Sequence, residues 1–207
     1  MYNFMVLQIA KLATCLIPKK SLRKKLQLDI QHYFFGKKIK KRAKKCGSNL
    51  IVNTPSFINN NTYIGNYVGL NGVEIHGQGN CYIGNHVIIA PETIILTDNH
   101  NYEGETIPYD KKYIYKDVVI DDFVWIGSRV TILPGTHIGE GAIIQAGAVV
   151  HGEIPPYAIA GGNPAKVFKY RDIEHFKKLK AEGKVYLVLG QKPVAAERER
   201  ERERERE

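Results

Sequence analysis

An aliphatic side chain recurs every six residues through the second half of this 207-residue chain, at Ile120, Ile126, Ile132, Ile138, Ile144 and Val150. Four positions after each of the first five stands a small or β-branched residue: Val124, Val130, Thr136, Ala142 and Ala148. The same beat occurs earlier at Ile83, Ile89 and Ile95, with Val87 and Thr93 in the matching places, and more loosely at Ile64 and Leu70. A helix repeats near 3.6 residues and an alternating strand near 2, so neither accommodates a period of six. A coil with three short flat sides does, if each side turns one aliphatic residue inward and one small residue into a corner. Hexapeptide repeats of this kind mark a β-helix, in which a rung buries its face only by stacking on its neighbours. The fold expected is therefore all-β, a parallel β-helix, with helices before it and a short helix after.

The chain divides accordingly. Residues 1–48 read as a helical, basic segment, 49–170 as the coil domain with a loop at 97–117, and 171–190 as a closing helix and strand. Residues 191–207 read as a disordered or artificial tail, because Glu and Arg alternate from Glu197 to Glu207 with no apolar face to bury. That run holds six Glu and five Arg, so removing it moves the net charge from +9 to +10. The remaining charge is uneven: twelve Lys or Arg and one acid, Asp29, lie between Pro18 and Cys46. The basic block lacks interleaved Gly and any nucleic-acid motif, which argues against a nucleic-acid partner. Cys15, Cys46 and Cys81 are odd in number and contain no CxxC. That pattern argues against a disulfide framework and a thiolate zinc site, and it fits a reducing cytoplasm.

Residues Met1 to Ile17 are mostly apolar, with Gln8, Lys11 and Cys15 on one helical face. The basic cluster follows this stretch and no cleavage site is evident, so it is not a secretory signal. A stretch this short, with a lysine in it, is also marginal for a membrane span. Ser21 can cap a second helix whose stripe is Leu22, Leu26, Ile30, Tyr33 and Phe34, ending at Gly36. Two readings stay open for residues 1–45: a peripheral contact with the inner face of a membrane, or packing against the coil or a neighbouring subunit.

The rhythm slips around Gly72 to Asn80 and breaks between Ile95 and Ile120. The segment Asn99 to Asp117 is polar, rich in Tyr and contains Pro108. A long excursion from a repetitive scaffold is usually a functional loop. The coil is expected to end near Val150, with Ile154-Pro155-Pro156 stopping strand pairing. Asp172 then caps a helix carrying Ile173, Phe176 and Leu179, and Val185 to Leu189 reads as a closing strand.

Several of these residues carry a resemblance. The Ile/Val-Gly-x-x-Val beat, Val124-Trp125-Ile126-Gly127-Ser128, the histidine in Asp98-Asn99-His100, and Ala160-Gly161-Gly162-Asn163-Pro164-Ala165-Lys166-Val167 together resemble the hexapeptide-repeat O-acetyltransferases. The nearest group is that of the galactoside and maltose enzymes and their surface-polysaccharide cousins, over about residues 60–170. The resemblance implies a left-handed parallel β-helix, a homotrimer with active sites in clefts between subunits, and acetyl-CoA as co-substrate. It implies acetyl transfer to a sugar or polysaccharide hydroxyl; N-acetylation of an amino sugar and a non-catalytic scaffold are the alternatives.

Acetyl transfer needs a base, an oxyanion donor, a slot for the pantetheine arm and exclusion of water. His100 matches the family's catalytic base, and a neutral imidazole suits that role. Asp98 could fix its tautomer or could simply be a solvated acid. By resemblance, Asn71 contacts the acceptor, although an Asn at a coil corner can also serve left-handed backbone. Trp125 would wall the cleft, the Ser128 N–H would meet the oxyanion, and Ala146 would let pantetheine pair with the backbone. Lys166 and Lys169 stand where the family's basic residues meet the CoA phosphates. His151-Gly152 departs from the family's Thr-Lys pair. Tyr102, Glu103 and Tyr109 could touch a sugar. His76, His86 and His137 read as surface or packing residues, and no HxxxxH pair exists, so no metal is expected.

Overall fold

All the aliphatic residues of the six-residue beat from Ile120 to Val150 are buried, as are the small residues four places after them. A computed structural model describes residues 2–15, 17 and 20–186 of the chain. Three parallel sheets form the sides of the coil. The first comprises β1 (Lys45–Cys46), β3 (Thr62–Ile64), β6 (Cys81–Ile83), β11 (Val118–Ile120), β14 (His137–Ile138) and β17 (Glu153–Ile154). The second comprises β2 (Ile51–Thr54), β4 (Gly69–Asn71), β7 (Ile88–Ile89), β12 (Trp125–Ile126), β15 (Ile143–Ile144) and β18 (Ala158–Gly161). The third comprises β5 (Glu74–His76), β8 (Ile94–Leu96), β13 (Thr131–Ile132) and β16 (Val149–Val150). This is the expected parallel β-helix.

The registers explain the rhythm of the sequence. Ile120 pairs with Ile138, Ile126 with Ile144 and Ile132 with Val150, so one turn takes three hexapeptides. The turn around residues 70–83 is wider. The step from Ile64 to its partner Ile83 exceeds three hexapeptides by one position, and the step from Ile75 to Ile95 exceeds it by two. The surplus falls between Leu70 and Ile83, where the beat slips. Across the excursion Ile83 pairs with Ile120 and Ile95 with Ile132. With Asn99–Asp117 set aside, each of these steps is again three hexapeptides, and the ladder resumes in register.

The coil does not end near Val150. It runs through two further sides, β17 and β18, and β18 pairs in parallel with β15. Pro155 and Pro156 fall between these strands, at a corner where no ladder N–H is required. The chain then turns back as β19 (Lys166–Tyr170), antiparallel to β18.

At one corner, Tyr67, His86 and Phe123 take left-handed φ on successive turns, between 57° and 60°. Their rings stack, with centroids 4.9 Å and 4.8 Å apart. Stacking offsets the backbone cost that such residues carry in this region.

The N-terminal segment forms α1 (Tyr2–Thr14) and α2 (Lys20–Arg42). The helices pack on each other and α2 packs on β2. Val6, Phe35 and Ile39 join the same apolar core as the coil residues. Two expectations fail here. Helix α2 already includes Lys20, so Ser21 is not the residue that precedes it, and it continues through Gly36 to Arg42. Burial of Phe35 and Ile39 on either side of Gly36 outweighs the ~1 kcal/mol that a mid-helix glycine costs.

The described residues from Asp172 to Tyr186 belong to a separate unit. In it Asp172 caps α3 (Ile173–Ala181), its carboxylate accepting from the His175 N–H at 2.9 Å. Val185 and Tyr186 belong to no strand; Leu187–Leu189 and the Glu-Arg tail lie outside the described residues.

Candidate active site

The excursion is a β-hairpin and not a plain loop. Strand β9 (Asp98–His100) leaves the third sheet just after β8 and pairs antiparallel with β10 (Tyr113–Tyr115), with His100 directly opposite Tyr113. The imidazole stacks on Tyr109 with centroids 3.8 Å apart and planes at 14°, and Tyr113 lies 4.6 Å away at 38°. Nδ1 of His100 is buried with no hydrogen-bond partner among the described residues. Asp98 does not orient the ring: its carboxylate accepts from the Gln78 N–H at 2.9 Å.

Asp110 holds the hairpin together. One carboxylate oxygen accepts from the Asn101 amide at 2.9 Å and the other from the Lys112 N–H at 2.7 Å. A side chain on Gly104 would collide with Asp110, since a Cβ there would lie 2.2 Å from a carboxylate oxygen. Beyond this knot the tip projects Ile107, which is 97% exposed.

The second sheet gathers a different set. Trp125 points outward between Ile88 and Ile143 and is 51% exposed, while its neighbour Ile126 is buried. Register continues the outer row from Trp125 through Ile143 and Ile159 to Lys169. Three strand spacings make that row about 14 Å long. Lys166 pairs with Gly161 on the same return strand, and both lysines are exposed. At the adjoining corner Gly127 approaches the next turn so closely that a Cβ would lie 2.6 Å from the Ala146 nitrogen. The Ser128 carbonyl accepts from Gly147 at 2.9 Å. The N–H groups of Ser128 and Ala146 donate to no described residue.

Sheet register thus puts Trp125 and Lys169 on one row, with Lys166 on the same return strand, while Ser128 and Ala146 lie at the corners that follow β12 and β15. Asn71 lies two turns earlier on the same sheet. Its amide donates to the Ile89 carbonyl at 2.9 Å and its oxygen accepts from Asn53. Gly72, not Asn71, takes the left-handed backbone there. His100 stands apart: its ring contacts among the described residues are Tyr109 and Tyr113, with no hydrogen bond to Asn71 or to the Trp125 row. His76 pairs with Glu74 at 2.9 Å and His137 with Asp121 at 3.0 Å, both on the surface. Among the described residues, no group of three or more His, Cys, Asp or Glu is placed to hold a metal.

Residues 117–152 match the family model described as bacterial transferase hexapeptide, six repeats. The galactoside O-acetyltransferase of Escherichia coli (strain K12) is 30% identical over 183 residues, which cover 82% of this chain and 90% of that protein. The chain belongs to the hexapeptide-repeat acetyltransferases.

Two further relatives of this hexapeptide-repeat acetyltransferase align over less of their own length. WbbJ of the same organism, provisionally named a lipopolysaccharide biosynthesis O-acetyl transferase, is 34% identical over 55% of this chain and 59% of its own. YJL218W of Saccharomyces cerevisiae is 36% identical over 60% of this chain and 64% of its own. Among solved structures, the hexapeptide-repeat acetyltransferase VCA0836 of Vibrio cholerae superposes with a TM-score of 0.59 at 25% identity. It covers 82% of this chain and 93% of that one.

Two residues that order the hairpin around His100 in this hexapeptide-repeat acetyltransferase escape a reading of the sequence. Tyr113 was hidden because its contact depends on hairpin register, although the alternation Tyr113-Ile114-Tyr115 is itself a strand signal. Asp110 resembles any loop acid until its two organising bonds are seen.

Proposed function

We propose that the chain is an acetyl-CoA-dependent O-acetyltransferase, moving acetyl to a hydroxyl of a sugar or polysaccharide with His100 as general base. The observation that carries this reading is the imidazole held against Tyr109 on a hairpin, with its Nδ1 buried and unpartnered among the described residues. Nε2 takes the proton from the acceptor hydroxyl as its oxygen bonds to the thioester carbonyl carbon. The carbon–sulfur bond then breaks and the proton passes to the departing thiolate. Direct attack needs no covalent enzyme intermediate when both substrates are held side by side.

The outer face of the second sheet suits acetyl-CoA. Free N–H groups at Ser128 and Ala146 are available to a developing oxyanion and to a pantetheine amide, and Trp125 can exclude water. Lys166 and Lys169 offer cations for the phosphates. Because His100 makes no described bond to that row, we place the complete site between subunits of a homotrimer, one giving the imidazole and another the CoA face. Asn71 would meet the acceptor by exchanging its bond to Asn53.

The deciding experiment is thiol release from acetyl-CoA over a panel of monosaccharides, nucleotide sugars, lipid-linked oligosaccharides and amino sugars. A hydroxyl acceptor is expected, and preference for an amine would overturn O-transfer. His100→Ala should keep the oligomer and acetyl-CoA binding while lowering kcat by at least about a hundredfold. Turnover at the parent rate would remove His100 from the reaction.

A further inference from the structure

Each N-terminal helix carries one apolar stripe more than its packing consumes. On α1, Val6, Ala10 and Thr14 are buried, whereas Met5, Ile9 and Leu12 form a second stripe that stays exposed, Leu12 at 72%. On α2, Phe35 and Ile39 are buried, whereas Leu22, Leu26 and Tyr33 share another face and stay exposed, Leu22 at 52%. Residues so spaced lie one above another on a helix, so these are stripes and not scattered side chains. Contiguous exposed apolar surface on a folded protein marks a place of contact.

The surroundings narrow the partner. Residues 20–45 hold eleven Lys or Arg against one acid, Asp29. Lys37, Lys40 and Lys41 are exposed, and the Lys37 ammonium lies 5.9 Å from the centre of the Tyr33 ring, so the cations border the apolar stripe itself. A second copy of the chain seated on this face would bring the same cations against it, a like-charge pairing that interfaces avoid. Nucleic acid would answer the charge but leave Met5, Ile9, Leu12 and Leu22 in water. An anionic bilayer answers both, with aliphatic side chains entering the acyl boundary and lysines meeting phosphate headgroups. Among the described residues no helix is long and apolar enough to cross a membrane, so the contact is one of helices lying in the surface plane.

We propose that α1 and α2 dock the protein peripherally on an anionic phospholipid surface. Both readings of the N-terminal segment then hold together: one stripe of each helix is spent inside the protein, and a second is kept for lipid. The inference does not depend on the acetyl-transfer chemistry.

The test uses the full chain and sedimentation with vesicles of phosphatidylcholine alone or mixed with phosphatidylglycerol. Binding is expected only to the mixed vesicles. The double variant Leu12→Glu, Leu22→Glu and the double variant Lys37→Glu, Lys40→Glu should each weaken it by at least about tenfold. Neither should change the oligomeric state in sedimentation velocity or the rate of transfer to a soluble acceptor. Failure of the parent protein to bind mixed vesicles overturns the proposal, as does undiminished binding by both variants. Dissociation of the oligomer by Leu12→Glu, Leu22→Glu overturns it in favour of a second copy covering the stripes.

Discussion

The His100 imidazole and the Tyr109 ring stack face to face, with centroids 3.8 Å apart, although the hairpin tip lies between them in the chain. One face of the Tyr109 ring is thereby committed to the imidazole. Losing one such stacked pair costs about 0.5–1.5 kcal/mol, or a two- to tenfold effect. Tyr109→Ala should therefore lower kcat by about two- to tenfold while KM for acetyl-CoA stays put, and Tyr109→Phe should restore kcat. Thermal melts of both variants followed by circular dichroism separate this from unfolding.

Lys169 closes the outer row that begins at Trp125. If that row receives the CoA phosphates, Lys169→Gln removes one charge-assisted contact and should raise KM for acetyl-CoA by about tenfold. Its kcat should stay within about twofold, since the contact is the same in ground and transition states. Calorimetric binding of acetyl-CoA gives the same answer without turnover.

Ile132 is fully buried, paired with Ile95 below and Val150 above. Ile132→Ala should cost about 2–5 kcal/mol, because flat rungs fixed by ladders on both sides collapse little into the space left. Denaturant unfolding followed by circular dichroism would measure it.

His86 lies between Tyr67 and Phe123 with a buried, unpartnered Nδ1. Desolvation pushes its pKa below the ordinary imidazole value, and the nearby Asp122 carboxylate only partly offsets that. The unfolded chain therefore binds the proton more readily than the folded one. Stability from this group is full above about pH 6.5 and is lost as pH falls through the lower folded value. Melting temperatures at about pH 8 and about pH 5 should differ less in His86→Phe than in the parent protein.

The fold was legible because a period of six has few structural solutions, and because each residue of the beat meets its own kind one turn away. Ile120, Ile126 and Ile132 need no distant information to be placed. The hairpin was harder to read, since Asn99–Asp117 is polar and its order comes from Asp110 bridging Asn101 and Lys112, a pattern of partners that no periodicity encodes. Gly36 misled for a related reason: a local helix-ending preference was overruled by Phe35 and Ile39 reaching the coil. For the candidate site, motif order singled out His100 and the Trp125 row. It gave no hint that Asp98 would bond Gln78 and leave the imidazole to tyrosines.

The ladder loses no register across the excursion: Ile83 and Ile120 face each other as if nothing intervened. The register of the ladder is therefore independent of the length of what is spliced between Asp98 and Lys116. Doubling such an insert adds only about 0.6 kcal/mol of closure entropy. A lineage built on this frame is free to exchange the whole cassette, imidazole and tyrosines together, and so retune its chemistry while every isoleucine beneath stays where it was.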